Sequence, residues 1–267
     1  MYTSNEILLR SLLVGLLAVP PTLVASIGSI FERGLEIANT QDSLNTGWKS
    51  SSVDMRMVLV ARSGQASVRT LRVDAIEVEG DGDKTKSVFD EPKDIRGTAL
   101  LSYSHSDVAD EQWLYLPGIK RVKRINSENR SGSFMGSEFA YEDLSPAQVE
   151  DYSYTYIKDE GCGRLECFVV KRVPLDENSG YSHLIAWVDQ EHYRDMRIDY
   201  YDHHDQHLKT LELSDHEIYA GKYWRPLKGV MTNHKNGKVT ELHWENYRFD
   251  VGLEARDFSK NALKRTR

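Results

Sequence analysis

The stretch QWLYLPGIKRVKRINSENRSGSFMGSEFAYEDL, residues 112–144, joins four chemically different parts. It opens apolar and aromatic, becomes basic, continues with Ser, Asn and Gly, and ends aromatic and acidic. In its opening WLYL, Trp113 and Tyr115 share one face of a predicted strand, and Leu114 and Leu116 share the other. A Pro-Gly turn follows this strand.

The second half of the stretch is poor in strand-forming residues but carries large apolar side chains. Phe134, Met135, Phe139 and Tyr141 lie on a polar segment with two glycines, which allow unusual backbone angles. We interpret the segment as a flexible cover over an apolar cavity, because methionine adapts to irregular contacts. The alternative is that these residues plug one end of a barrel.

Outside this stretch, apolar and polar residues alternate in short runs separated by polar turns. Met55 and Met57 alternate with charged residues, as do Leu71 and Val73. The pattern predicts roughly ten or eleven antiparallel strands in a mainly β fold. The alternation changes phase at Ile76, which predicts a β-bulge or a bend in the strand.

Helical signals are few. The spacing of Phe31, Leu35 and Ala38 predicts a helix over residues 29–45. Ser145 followed by proline predicts a second, short helix.

The chain has 267 residues, 40% of them hydrophobic, and a net charge of -7. This composition suits one globular domain and argues against a general nucleic-acid binder, which would be basic. An apolar run at residues 11–26, followed by small residues, predicts a signal peptide over residues 1–28. Residues 29–267 then form a single exported domain; an uncleaved N-terminal anchor is the alternative.

Two cysteines flank a glycine-containing turn between β-like runs. Cys162 and Cys167 can therefore face each other across a hairpin and form a disulfide, which would persist in an oxidising compartment. Free thiols are the alternative. The sequence HHDQH, with His203, His204 and His207, fits no recognised metal motif and is interpreted as a polar hairpin tip.

Four cations form a basic patch in an acidic protein: Lys120, Arg121, Lys123 and Arg124. They either contact a lipid headgroup or an acidic partner, or pair with the nearby acids Glu138, Glu142 and Asp143.

The sequences WLYLPGIKRVKRI and NRSGSFMGSEFAYEDL resemble the outer membrane lipoprotein-sorting protein family of Gram-negative bacteria, in the LolA-like superfamily. The chain is longer than the well-known carriers and looks closer to the larger, uncharacterised branch. The resemblance implies an incomplete antiparallel β-barrel, with short helices forming a lid over an apolar cavity. It also implies carriage of lipoprotein acyl chains across the periplasm.

We therefore expect a periplasmic, monomeric, non-enzymatic carrier of lipoprotein acyl chains or another lipid, without cofactor or metal. An accessory protein of a membrane export transporter and an unrecognised hydrolase are the alternatives. The residues expected at the lid or cavity mouth are Trp113, Tyr115, Phe134, Met135, Phe139 and Tyr141. The residues expected in the cavity wall are Met55, Met57, Leu71 and Val73.

Overall fold

The computed structural model describes residues 21–265, so most of the predicted signal peptide, residues 1–20, lies outside the described residues. Strands dominate this part of the chain. The helices are α1 (Pro21–Leu44) and α2 (Lys260–Leu263). The strands are β1 (Ser50–Val60), β2 (Ala66–Ile76), β3 (Lys84–Glu91), β4 (Ala99–Tyr103), β5 (Glu111–Leu116), β6 (Arg121–Ile125), β7 (Tyr152–Cys162), β8 (Leu165–Pro174), β9 (His183–Asp189), β10 (Asp195–Tyr201), β11 (His207–Ser214), β12 (Glu217–Tyr219), β13 (Tyr223–Arg225), β14 (Lys228–Asn233) and β15 (Val239–Phe249).

Thirteen strands form one antiparallel sheet, in the order β6-β5-β4-β3-β2-β1-β15-β14-β11-β10-β9-β8-β7. The sheet consists of two meanders, joined where β1 pairs with β15. Strands β12 and β13 form a separate two-stranded ribbon. The predicted mainly β, antiparallel fold is confirmed, and the described residues hold more strands than the sequence predicted.

The connection between β6 and β7, residues 126–151, joins the two edges of the sheet; we call it the crossing segment. Its Arg130 binds Asp110, just before β5, at 2.9 Å and Asp176, just after β8, at 3.3 Å. One guanidinium therefore bridges the two ends of the sheet, which must curl to bring them together. The result is the predicted incomplete barrel.

The face of the sheet that packs against α1 and the crossing segment carries the larger apolar cluster; we call it the inner face. Ile37 and Ala38 of α1 lie in this cluster with Phe134 and Phe139 of the crossing segment. The buried sheet residues of the cluster include Met55, Met57, Leu71, Phe89, Leu100, Leu114, Val170, Ala186, Ile198, Leu211, Met231 and Leu242.

A smaller cluster lies on the opposite, outer face, beneath α2 and the turn Ala255–Phe258. Its buried members are Ile76, Val88, Ala99, Leu101, Trp113, Tyr115, Phe258 and Leu263. This cluster explains the phase change at Ile76. The pairing of β1 with β2 runs without interruption from Ser50↔Ile76 to Val60↔Ala66, so the predicted bulge is wrong. Ile76 simply points to a second apolar face.

The two edges of the sheet are protected differently. At β7, helix α1 lies so close that a Cβ on Gly34 would come within 2.9 Å of the Tyr156 backbone nitrogen. At β6, exposed Lys and Arg side chains discourage pairing with another strand. The short helix predicted from Ser145 is instead a single 3-10 turn at Val149–Asp151, whose N-cap is Gln148.

Candidate functional site

A cavity of about 700 Å³ lies between α1, the crossing segment and the inner face of the sheet. Side chains of five strands form its apolar floor: Val53, Val73, Ile198, Leu211, Leu213 and Trp244. Residues 142–149 of the crossing segment line it from above, and Trp224 and Arg225 of the ribbon lie at one end. The cavity combines an apolar floor with a polar and aromatic end.

The central part of the crossing segment is a tight loop that fills the barrel. Ser133 and Ala140 form a β-bridge, and the Phe134 amide donates to the Phe139 carbonyl at 2.8 Å. The Phe134 ring stacks on Phe89 with 5.6 Å between centroids. Phe134 and Phe139 are buried in the inner cluster and do not line the cavity, so here the plug interpretation describes the structure better than the flexible cover.

A buried ion pair fastens the crossing segment to the sheet. Lys209 of β11 lies 2.6 Å from Asp143, and both side chains are only 4% exposed. The Tyr181 hydroxyl donates to the same carboxylate at 2.8 Å, and burial raises the pKa of that hydroxyl well above its usual value. The Lys209 ammonium also donates to the Glu138 carbonyl at 3.1 Å. This network fixes the roof of the cavity.

The residues predicted for the cavity wall all lie on the inner face, but they differ in depth. Met55, Met57 and Leu71 are buried in the packed cluster. Only Val73 of this group lines the cavity. The alternation identified the correct face but not the position of the open space along it.

The residues predicted for the lid or cavity mouth divide between the two faces. Met135 and Tyr141 are half-buried against the inner cluster. Trp113 and Tyr115 point outward, where Trp113 is covered by the Lys260 ammonium at 4.1 Å from its ring centre. Their predicted place at the cavity mouth is therefore wrong, because they belong to the outer cluster.

The basic patch is on edge strand β6 and the turn before it, away from the cavity. Arg124 pairs with Glu111 at 2.9 Å. Lys120, Arg121 and Lys123 are exposed and have no carboxylate partner among residues 21–265.

The acids expected to neutralise the patch bind elsewhere. Glu138 accepts from Asn233, Glu142 accepts from Ser179, and Asp143 pairs with Lys209. The alternative of pairing with Glu138, Glu142 and Asp143 is therefore wrong, although Arg124 does pair with another acid, Glu111; contact of the patch with a partner stays a prediction.

Sequence analysis missed the cations that do line the cavity. Arg172 binds Asp195 through both terminal nitrogens, at 3.1 and 2.6 Å. Arg194 binds Asp189 at 2.8 Å, and its guanidinium lies 4.6 Å from the Trp224 ring centre. Arg172 lies in strand β8 and Arg194 in the connection between β9 and β10, and no local sequence pattern distinguished either of them.

The cysteines and histidines hold structural positions. Cys162 and Cys167 form the predicted disulfide, with their Cα atoms 5.8 Å apart. His203 lies 2.8 Å from the Ser179 carbonyl, and His207 lies 3.0 Å from the Thr210 hydroxyl. Within residues 21–265, no group of three or more His, Cys, Asp and Glu is arranged to hold a metal ion.

Comparison with solved structures identifies the family. A domain described as an outer membrane lipoprotein-sorting protein from Vibrio parahaemolyticus is 48% identical, with a TM-score of 0.86; the match covers 87% of this chain and 99% of that one. The chain belongs to the outer membrane lipoprotein-sorting protein family. A DUF1329 family protein from Desulfovibrio piger is 28% identical, with a TM-score of 0.83, over 88% of this chain and 99% of the other.

A more distant match shows the same fold. A LolA superfamily protein from Nitrosomonas europaea shares the fold at 19% identity, with a TM-score of 0.70, over 86% of this chain and 98% of that one. A family profile described as "Uncharacterized protein" matches residues 81–265. No curated protein matches the sequence. Of the helices described, none is long and apolar enough to cross a membrane.

The cavity contains a carboxyl group that is costly to ionise. Burial, with smaller contributions from Glu77 and Asp42, raises the pKa of Asp83 to about 6. A raised pKa means that the folded protein binds this proton more tightly than the unfolded chain does. Stability attributable to Asp83 is therefore lost as the pH rises from about 4 through 6.

We expect Asp83→Asn to raise the melting temperature at pH 7.5 by roughly 2 to 5 °C, because it removes a desolvated charge. The gain should shrink as the pH falls through 6 towards 4. Thermal unfolding followed by circular dichroism at several pH values measures this. Glu79→Gln, at an exposed carboxylate in the same connection between β2 and β3, is the control. A gain that does not change with pH would contradict the assignment.

Proposed function

We propose that this protein is a periplasmic, non-enzymatic carrier that binds the acyl chains of lipoproteins or other lipids in its inner cavity. The observation that carries the proposal is the cavity of about 700 Å³, with its apolar floor, in a fold shared with a lipoprotein-sorting relative. Ligand cavities in proteins commonly enclose about 300–1,000 Å³.

Binding of an acyl chain in this cavity needs no catalytic group. Each CH₂ group removed from water contributes roughly 0.8 kcal/mol, so about ten buried CH₂ groups contribute roughly 8 kcal/mol. Ordering the chain and losing its free motion offset part of this gain. The net free energy of binding that remains suits a carrier, which must release its cargo as well as bind it.

Two features support export to the periplasm. The disulfide Cys162–Cys167 is typical of an oxidising compartment. The apolar run at residues 11–26 has the length and the following small residues of a signal peptide. We propose that the carrier acts as a monomer, and that a membrane transporter complex is a candidate partner.

Filling the cavity tests the proposal. Ala75 of β2 lines the cavity, so Ala75→Trp should reduce acyl-chain binding by about tenfold or more while the fold is retained. Val68→Trp is the matched control, because Val68 lies on the outer face of the same strand and is 50% exposed. Native mass spectrometry with a palmitoylated peptide and with a phospholipid measures the binding.

The outcomes separate the candidate functions. Binding by the wild type and the Val68 variant, lost in the Ala75 variant, supports the carrier. If the wild type neither co-purifies with lipid nor takes up either probe, the carrier proposal fails and the transporter-accessory role is favoured. Release of free fatty acid from the bound probe would instead indicate a hydrolase.

A further inference from the structure

The arginines that line the cavity differ in how their charges are neutralised. Arg172 is paired with Asp195, and Arg194 with Asp189. Arg225, in ribbon strand β13, has no carboxylate within ion-pair distance in the part of the chain that the structure describes. The cavity thus contains one arginine whose charge is not neutralised by a neighbouring acid.

The surroundings of Arg225 hold its guanidinium in place without neutralising it. The group lies 5.2 Å from the Phe249 ring centre and 5.8 Å from that of Tyr223. Its Nη1 donates to the Trp224 carbonyl at 2.9 Å. Burial lowers the pKa of Arg225, so part of its hydration has been lost. An arriving anion would replace that lost hydration with charge-assisted hydrogen bonds.

A second cation accompanies Arg225 at the same end of the cavity. The Lys222 ammonium lies 5.1 Å from the centre of the same Tyr223 ring and donates to the Thr46 carbonyl. No carboxylate pairs with Lys222 among residues 21–265. Two unneutralised cations therefore flank one aromatic ring at the cavity wall.

The ribbon that carries these cations is held firmly at the cavity. The Trp224 ring stacks on His192 with 4.5 Å between centroids, and it faces the Arg194 guanidinium at 4.6 Å. Both partners belong to the turn between β9 and β10 and its flank. The cations are thus presented from a fixed element.

Among the described residues, the nearby acids do not form ion pairs with Arg225 or Lys222. The charge of Glu77 raises the pKa of Arg225, but its carboxylate accepts from the backbone amides of Gly47 and Lys49. Asp42 and Asp83 also line the cavity, but within residues 21–265 neither lies within ion-pair distance of Arg225 or Lys222.

We propose that Arg225 and Lys222 bind the anionic headgroup, a carboxylate or a phosphate, of an amphipathic lipid whose acyl chain lies on the apolar floor. This inference rests on the proposed carrier function and specifies its ligand class. The headgroup site is on the ribbon at the end of the cavity and is distinct from the basic patch on β6.

Three probes with matched chains, dodecanoate, dodecyl phosphate and dodecanol, and one without a chain, inorganic phosphate, test the proposal. Isothermal titration calorimetry below the micelle concentration measures each affinity for the full-length mature protein. We expect both anionic amphipaths to bind about tenfold or more tightly than dodecanol, because only the anions bring a negative charge to pair with the two cations. Inorganic phosphate should bind much more weakly than dodecyl phosphate.

Variants assign the preference to the two cations. Arg225→Gln, which can still donate to the Trp224 carbonyl, should remove most of the preference for anions, and Lys222→Gln should reduce it. Arg225→Lys should restore part of it. Lys123→Gln, which removes an exposed unpaired cation on β6, is the control and should leave the preference unchanged.

Each other outcome overturns a specific claim. Equal binding of dodecanol and the anions, or an unchanged preference in Arg225→Gln, would overturn the headgroup site and leave the carrier proposal standing. Phosphate binding as tight as dodecyl phosphate would show a site for free anions rather than for amphipaths. Failure of every chain-bearing probe to bind would overturn the carrier proposal itself.

Discussion

Replacement of Lys209 by Met is expected to lower the free energy of unfolding by about 3–5 kcal/mol, because it leaves the Asp143 carboxylate buried without its cation. The melting temperature should fall by about 10 °C for a domain of this size. Urea unfolding measured by tryptophan fluorescence gives the energy directly. The Ala140 amide and the Tyr181 hydroxyl still donate to Asp143, so complete unfolding is not expected.

Two controls separate the buried pair from charge effects in general. Lys209→Met combined with Asp143→Leu removes both charges and should recover much of the lost stability. Arg124→Met breaks the exposed pair with Glu111 and should cost less than about 1 kcal/mol. Equal losses in Lys209→Met and Arg124→Met would show that the ion pair does not fasten the crossing segment.

Phe134→Ala is expected to destabilise the protein by about 3–5 kcal/mol, the usual cost of removing a fully buried aromatic ring. Phe134 is 1% exposed, stacks on Phe89, and meets the edge of Tyr141 with 5.6 Å between centroids. Chemical denaturation measures the loss. Any change in lipid binding should follow from loosening of the crossing segment, since Phe134 does not line the cavity.

Met135→Ala is the neighbouring control. Met135 is half-buried at the tip of the same loop, at a φ of 51°, so its truncation should cost clearly less than that of Phe134. A small loss in Phe134→Ala, combined with direct loss of lipid binding, would return Phe134 to the lid of the cavity and contradict its place in the core.

Much of the fold followed from local sequence patterns. The alternation at Met55 and Met57 predicted a strand with one apolar face, and the cysteine-flanked turn predicted the β7–β8 hairpin. Strands β12 and β13, of three residues each, are too short to show a period. The pairing of β1 with β15 depends on residues from opposite ends of the chain, which no local pattern reveals.

The site was less predictable than the fold. Alternation shows that Trp113 and Tyr115 share a face, but the same pattern fits either side of the sheet. Only the position of Phe258 and Leu263 reveals that this face is the outer one. Arg225 lies between Trp224 and Pro226, neither of which is charged. Its proposed role in binding an anion depends on the lack of a carboxylate partner in the folded chain that the structure describes, which the local sequence does not show.

Strand β15 sits in the middle of the sheet although it is the last strand of the chain. It pairs with β1 on one side and with β14 on the other. The two meanders can therefore be joined only when residues 239–249 are in place between them. Until then β1 and β14 are unpaired edges, which are prone to pair with other chains. Completion of the sheet thus depends on the last of the described strands.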